Sequence, residues 1–156
     1  MKKMQKSYDE AKENELISLA LKCLETRLRY GSELLNNSSN VRAYLQLQLA
    51  DEKNEVFGVL FLSNSNRLLA FEKLFYGTIN EAVVYPRIIA QKALEHNAAK
   101  VILTHNHPSG TSDASQADHE MTRKVQDALS LIEIKTIDHI VVTHKNSYSF
   151  AEHGLM

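Results

Sequence analysis

The strongest constraint on the fold is the run EVFGVLFLS at residues 55–63. It is almost continuously apolar and is closed on both sides by polar turns, the pattern of a strand buried on both faces. NSN at 64–66 signals a turn, and RLLAFEKLFYG at 67–77 reads as its antiparallel partner. AKVILTH, ending at His105, is a second short buried strand rich in β-branched residues. IKTIDHIVVTH and SYSFAEHG read as the last two strands. PRIIAQKALEHNAA suits a helix with Pro86 in its first turn, and another helix is expected from about Ser115 to Leu131.

Upstream, Leu16, Ile17, Leu19, Ala20, Leu24 and Leu28 recur at helical spacing, so residues 8–30 are expected to form an amphipathic helix. Gly31 and NNSSN at 36–40 mark a break, after which Val41 to Leu49 reads as helical. The order is αα-ββ-α-β-α-ββ, an α/β class with a mixed central β-sheet flanked by helices. At 156 residues the chain has room for one such domain, here 39–156, preceded by an N-terminal helical segment, 1–38.

Composition excludes several function classes. The net charge of −1 supplies no global field toward nucleic acid or an anionic membrane. The basic cluster Lys2, Lys3 and Lys6 reads as a solvated terminus. The single Cys23 allows no internal disulfide and no cysteine-rich zinc knuckle, and is expected to pack within its apolar helix. No stretch reaches transmembrane length and no secretory leader pattern is evident, so no membrane partner and a cytoplasmic location are expected.

The chemistry concentrates in THNHPSGTSDASQAD, residues 104–118. His105 and His107 stand two apart at a strand end, so both imidazoles point to one side. Asp118 falls in the first turn of the next helix, near enough to fold back as a third ligand. Two imidazoles and a carboxylate, with a fourth position for water, is how catalytic zinc is held. Hydrolysis also needs a proton shuttle and an oxyanion donor. Ser115 is placed for the donor. Glu55, at the mouth of the first strand, is the candidate base, with Asp113 as a competing carboxylate.

Plainer readings stand beside these. Ser115-x-x-Asp118 resembles a capping box with Asp in place of Glu or Gln, and one residue can cap and ligate together. A His-x-His pair in a loop can be merely solvated, and Glu55 can be a strand-end charge. His139, beside Asp138, reads as a core histidine bonded to a neighbour, or as a supporting residue near the metal. His119 is expected to point away from the metal, and His96, His144 and His153 to occupy surface or turn positions.

His105-x-His107-Pro108, then Ser115-x-x-Asp118, resembles the JAMM (JAB/MPN+) metalloprotease signature. Glu55-x-x-Gly58 resembles that family's upstream acid/base segment. EVFGVLFLSNSNRLLAFEKLFYGTIN, THNHPSG and DHIVV are similar to the JAB domain of the RadC family, over roughly residues 40 to 153. The resemblance implies a single JAB/MPN-like domain of cytidine-deaminase-like architecture. It also implies one Zn2+ per chain on His105, His107 and Asp118. Glu55 would then deprotonate the water and protonate the leaving amine, and Ser115 would steady the oxyanion. The implied substrate is a peptide or protein, cleaved at a peptide or isopeptide bond.

Longer RadC proteins carry a helix-hairpin-helix region where this chain has a helical segment. Two alternatives follow: a DNA-associated RadC-type factor of a mobile element, or a JAB scaffold that binds partners. The N-terminal helix would pack on the domain, mediate a homodimer or bind a partner.

Overall fold

In β1, Phe57, Val59 and Phe61 project into one core, while Val56, Leu60 and Leu62 project into another. This period-2 alternation makes the strand apolar throughout, because both of its faces are covered. The computed structural model describes residues 2–31, 38–77 and 83–156, with side chains of the first helix from Asp9 onward. The elements are α1 (Lys2–Tyr30), α2 (Ser38–Leu49), β1 (Val56–Leu62), β2 (Leu68–Tyr76), α3 (Pro86–Glu95), β3 (Lys100–Asn106), α4 (Gln116–Ser130), β4 (Lys135–Val142) and β5 (Ser147–Ser149). The expected element order holds. The side chains of Lys2, Lys3 and Lys6, and residues 78–80 of the RadC-like stretch, lie outside the described set.

The five strands form one mixed sheet in the order β2-β1-β3-β4-β5. β1 pairs antiparallel with β2 and β3, β3 runs parallel to β4, and β5 returns antiparallel on β4. The end of α1 and α2 cover one face through Leu28, Val41, Tyr44, Leu45 and Leu49. α3 and α4 cover the other through Ile89, Ala93, Val125 and Leu129. The result is a small α/β domain of JAB/MPN-like type.

Five expectations need correction. α1 is not buried along one stripe: Leu16 and Leu19 are 60% and 52% exposed, and Leu28 alone of the six named residues is buried. A helix of 29 residues is about 43 Å long, and the packing on α2 and β2 falls toward its C-terminal end, with Leu21 and Leu24 against the same core. Cys23 accordingly lies exposed rather than packed.

The expected break at 36–40 is also shorter than read. Ser38 to Asn40 already belong to α2, while 36–37 lie outside the described residues. α3 stops at Glu95, because Asn97 takes a left-handed conformation (φ 52°) and Ala98 donates back to the Ala93 carbonyl.

β5 covers only Ser147–Ser149. The Asp138 carboxylate accepts the Ala151 N–H at 3.0 Å and the Ser149 hydroxyl at 2.7 Å, drawing the chain off the sheet edge. Among the described residues no helix is long and apolar enough to cross a membrane.

Candidate metal centre

The site forms where β3 ends and α4 begins. Odd-numbered residues of β3 face the α3/α4 side, so Val101, Leu103 and His105 share that face, and His105 is 1% exposed. The antiparallel register sets Phe57 opposite His105. Two residues beyond that pair, Glu55 immediately precedes β1 and His107 immediately follows β3. Glu55 is half-buried and lines a cleft of 740 Å³ together with His105, His107 and Asp118. Asp113 lines the same cleft, but from an exposed loop position.

The loop between His107 and Ser115 is short and tightly tied. His107 donates its backbone N–H to Val142, and Gly110 donates to His107 from a left-handed φ of 86° that favours glycine. Ser115 then caps α4. Its hydroxyl oxygen accepts the Asp118 N–H at 3.1 Å, and Asp118 Oδ2 accepts the Ser115 N–H at 2.8 Å and its hydroxyl at 2.7 Å. The capping box and the candidate ligand are therefore one object. The first turn of a helix is also where a carboxylate is electrostatically favoured.

The three candidate ligands converge. Asp118 Oδ1 lies 3.3 Å from His105 Nε2, and Oδ2 lies 3.5 Å from His107 Nε2. The two Nε2 atoms are 2.8 Å apart. Taking one ligand atom from each residue, all three lie within 4.8 Å of one another; tetrahedral zinc with bonds near 2.0–2.1 Å needs about 3.4 Å between ligand atoms, so the two imidazoles have to open slightly to admit it. His107 Nδ1 donates to the Thr111 carbonyl at 2.7 Å, which turns its Nε2 toward the cluster, where it can bind a cation once it gives up its proton. Two imidazole nitrogens and a carboxylate aimed at one point suit a divalent cation of borderline softness.

Burial works against ionisation of Asp118. The adjoining His105 and His107 imidazoles and the Ser115 hydroxyl overcome it and hold the carboxyl well below the usual carboxylate range. The His107 imidazole is pushed up, chiefly by its hydrogen bond with Asp118. Desolvation opposes that shift, and the Thr111 carbonyl and the charge of Glu55 add to it. The cluster therefore attracts positive charge.

Of the remaining histidines, His139 is wholly buried directly behind His105, and His119 turns to Phe150 at 4.9 Å. His96 is the C-cap of α3, half-buried with its ring 4.9 Å from Phe61, while His144 and His153 are exposed. Sequence reasoning missed Asn106 and Thr122. Asn106 is 2% exposed on the opposite face of β3, and its carboxamide bonds the backbone around Glu55. Thr122 stands four residues after Asp118, a spacing that places both on one helix face and was the available signal.

A mixed sheet that carries His-x-His at the end of one strand and Asp in the first turn of the following helix defines a JAB-type domain with a candidate metal centre. The chain belongs to the RadC-like JAB domain family, which it matches over residues 35–155. It is 50% identical over 139 residues to a UPF0758 protein of Janthinobacterium sp. (strain Marseille), covering 89% of this chain and 62% of that one. A UPF0758 protein of Pseudoalteromonas atlantica is 50% identical over 123 residues, 79% of this chain and 55% of the relative. One from Methylibium petroleiphilum is 46% identical over 154 residues, 97% and 69% of the two chains. The chain thus spans less than two thirds of the first two relatives.

Proposed function

We propose that this chain is a zinc-dependent metallohydrolase that cleaves peptide or isopeptide bonds. The observation that carries the reading is the convergence of His105, His107 and Asp118 inside a cleft that Glu55 also lines. His105, His107 and Asp118 would hold the ion. Zinc held there would lower the pKa of a bound water toward about 7 and polarise a carbonyl.

Glu55 would take the proton of the attacking water and pass it to the departing amine. Its half-buried position at the entrance to β1 favours it over Asp113, which sits on an exposed loop. Ser115 would donate to the developing oxyanion. Its hydroxyl proton is engaged by Asp118 Oδ2, so that role requires the hydroxyl to turn. With a net charge of −1, a protein substrate is a better match than nucleic acid.

The test is metal analysis of the purified chain with assays on linear peptides and isopeptide-linked substrates. About one zinc per chain and hydrolysis abolished by chelation and restored by zinc are expected. Protein that takes up no zinc, or cleavage indifferent to chelation, would overturn the reading.

A further inference from the structure

Behind the three candidate ligands runs a buried row of polar groups. His139 on β4 is 0% exposed, stacked on Phe150 at 4.7 Å and set edge-on to Phe57 at 5.8 Å. Each of its ring nitrogens has a polar neighbour. Nε2 lies 2.8 Å from Nδ1 of His105, and Nδ1 lies 2.6 Å from the hydroxyl of Thr122. The Thr122 hydroxyl is also 2.6 Å from the backbone carbonyl of Asp118. The row begins on the backbone of one candidate ligand and ends on the ring of another.

Its hydrogens follow by elimination. A carbonyl only accepts, so Thr122 gives its single hydroxyl proton to Asp118. The hydroxyl oxygen can then only accept from His139, whose Nδ1 must carry the hydrogen. A wholly buried imidazole is neutral, and a neutral imidazole that donates through one nitrogen accepts through the other. His139 Nε2 therefore accepts from His105 Nδ1–H. The remaining nitrogen of His105, Nε2, is left with its lone pair directed at His107 and Asp118.

We propose that Thr122 and His139 are positioning residues for metal binding, a relay that locks His105 in its Nδ1–H tautomer and presents Nε2 to the cation. The role rests on the metal site proposed above. Reversing the relay would put a hydrogen on His105 Nε2, where it blocks a metal. The carbonyl of Asp118 forbids that reversal while Thr122 is bonded to it. The relay also ties the first turn of α4 to the end of β3 through the core, so the carboxylate and the imidazole are oriented together.

The test combines imidazole 15N–1H NMR of the metal-free chain with zinc affinity measured against a chromophoric chelator. In the wild type, His105 and His139 are both expected as Nδ1–H tautomers. Thr122→Val and His139→Phe should each weaken zinc binding by about 10–100-fold, and Thr122→Ser should restore it to within about threefold. Thr122→Val should also let His105 populate the other tautomer.

An Nε2–H tautomer at His105 in the wild type overturns the relay, and this reading stands even if a variant fails to fold. Unchanged zinc affinity in both folded variants overturns it as well. A wild type with the expected tautomers but no zinc uptake would instead sink the metal site.

Discussion

Asn106 grips Val56 across the sheet: its side-chain Oδ1 accepts the Val56 backbone N–H at 2.7 Å, between residues fifty apart in sequence. The same carboxamide donates to the carbonyls of Asn54 at 3.0 Å and Glu52 at 3.3 Å. Asn106 stands between His105 and His107, yet strand alternation turns it to the other face. One residue of the strand that carries His105 thus clasps the backbone on both sides of Glu55. Asn106→Ala leaves a buried N–H without a partner and should cost about 1–3 kcal/mol in denaturant unfolding. Amide exchange at Val56 should accelerate, and hydrolysis should fall further than zinc affinity. Wild-type exchange at Val56 would show that the clasp does not hold this segment.

Glu55→Gln keeps the size of the side chain and removes its capacity as a base. Zinc content should stay near one per chain while turnover falls by about 10²–10⁴-fold. Asp113→Asn is the control, expected to leave turnover close to wild type. If the two variants exchange behaviour, the shuttle belongs to the loop carboxylate.

The pH dependence of the metal-free chain should carry a signature of His139. Burial depresses its imidazole well below the usual range. In the unfolded chain the same group titrates near 6.5, so below that pH the unfolded state binds more protons and stability declines. His107 acts oppositely, since its raised imidazole stabilises at low pH and that contribution is lost as pH rises through its folded value. Comparison with His139→Phe isolates the first effect. The stability advantage of wild type over this variant should shrink below about pH 6.5 by up to about 1.4 kcal/mol per pH unit. A constant difference down to about pH 5 would mean that His139 is not held neutral.

Gly58 is required by space. A Cβ there would lie 2.8 Å from Cε2 and 3.0 Å from Cζ of Phe71, whose ring packs edge-on against Tyr44 at 5.7 Å. Gly58→Ala should destabilise the fold by about 1–3 kcal/mol, because the Phe71 ring must leave its packing position. In a double-mutant cycle with Phe71→Leu, a favourable coupling of about 0.5 kcal/mol or more is expected. Strict additivity would place the cost of the alanine elsewhere.

Much of this architecture was legible along the chain. β1 and β3 announce themselves by period and composition, and α4 by its cap. His105 and His107 share a face because they are two apart on a strand, and Ser115 and Asp118 meet because they are three apart at a helix start. What failed was anything that depends on reach. The apolar residues of α1 could not reveal that Leu16, Leu19 and Cys23 face solvent, because nothing local says where a long helix meets its neighbours. Ser149 and Asp138 cut β5 short through a contact eleven residues apart.

By itself, then, the sequence determined the element order, the pairing of His105 with His107 on one strand face and the Ser115–Asp118 helix cap, all consequences of spacing within a turn or a strand. The tertiary structure alone decided that Glu55 shares the cleft of the histidines, that Asn106 secures its backbone, and that Thr122 and His139 stand behind His105. Those relations hang on the register Phe57↔His105 and on β3 and β4 lying side by side. A slip of one residue in a strand would turn its side chains to the opposite face and break these relations.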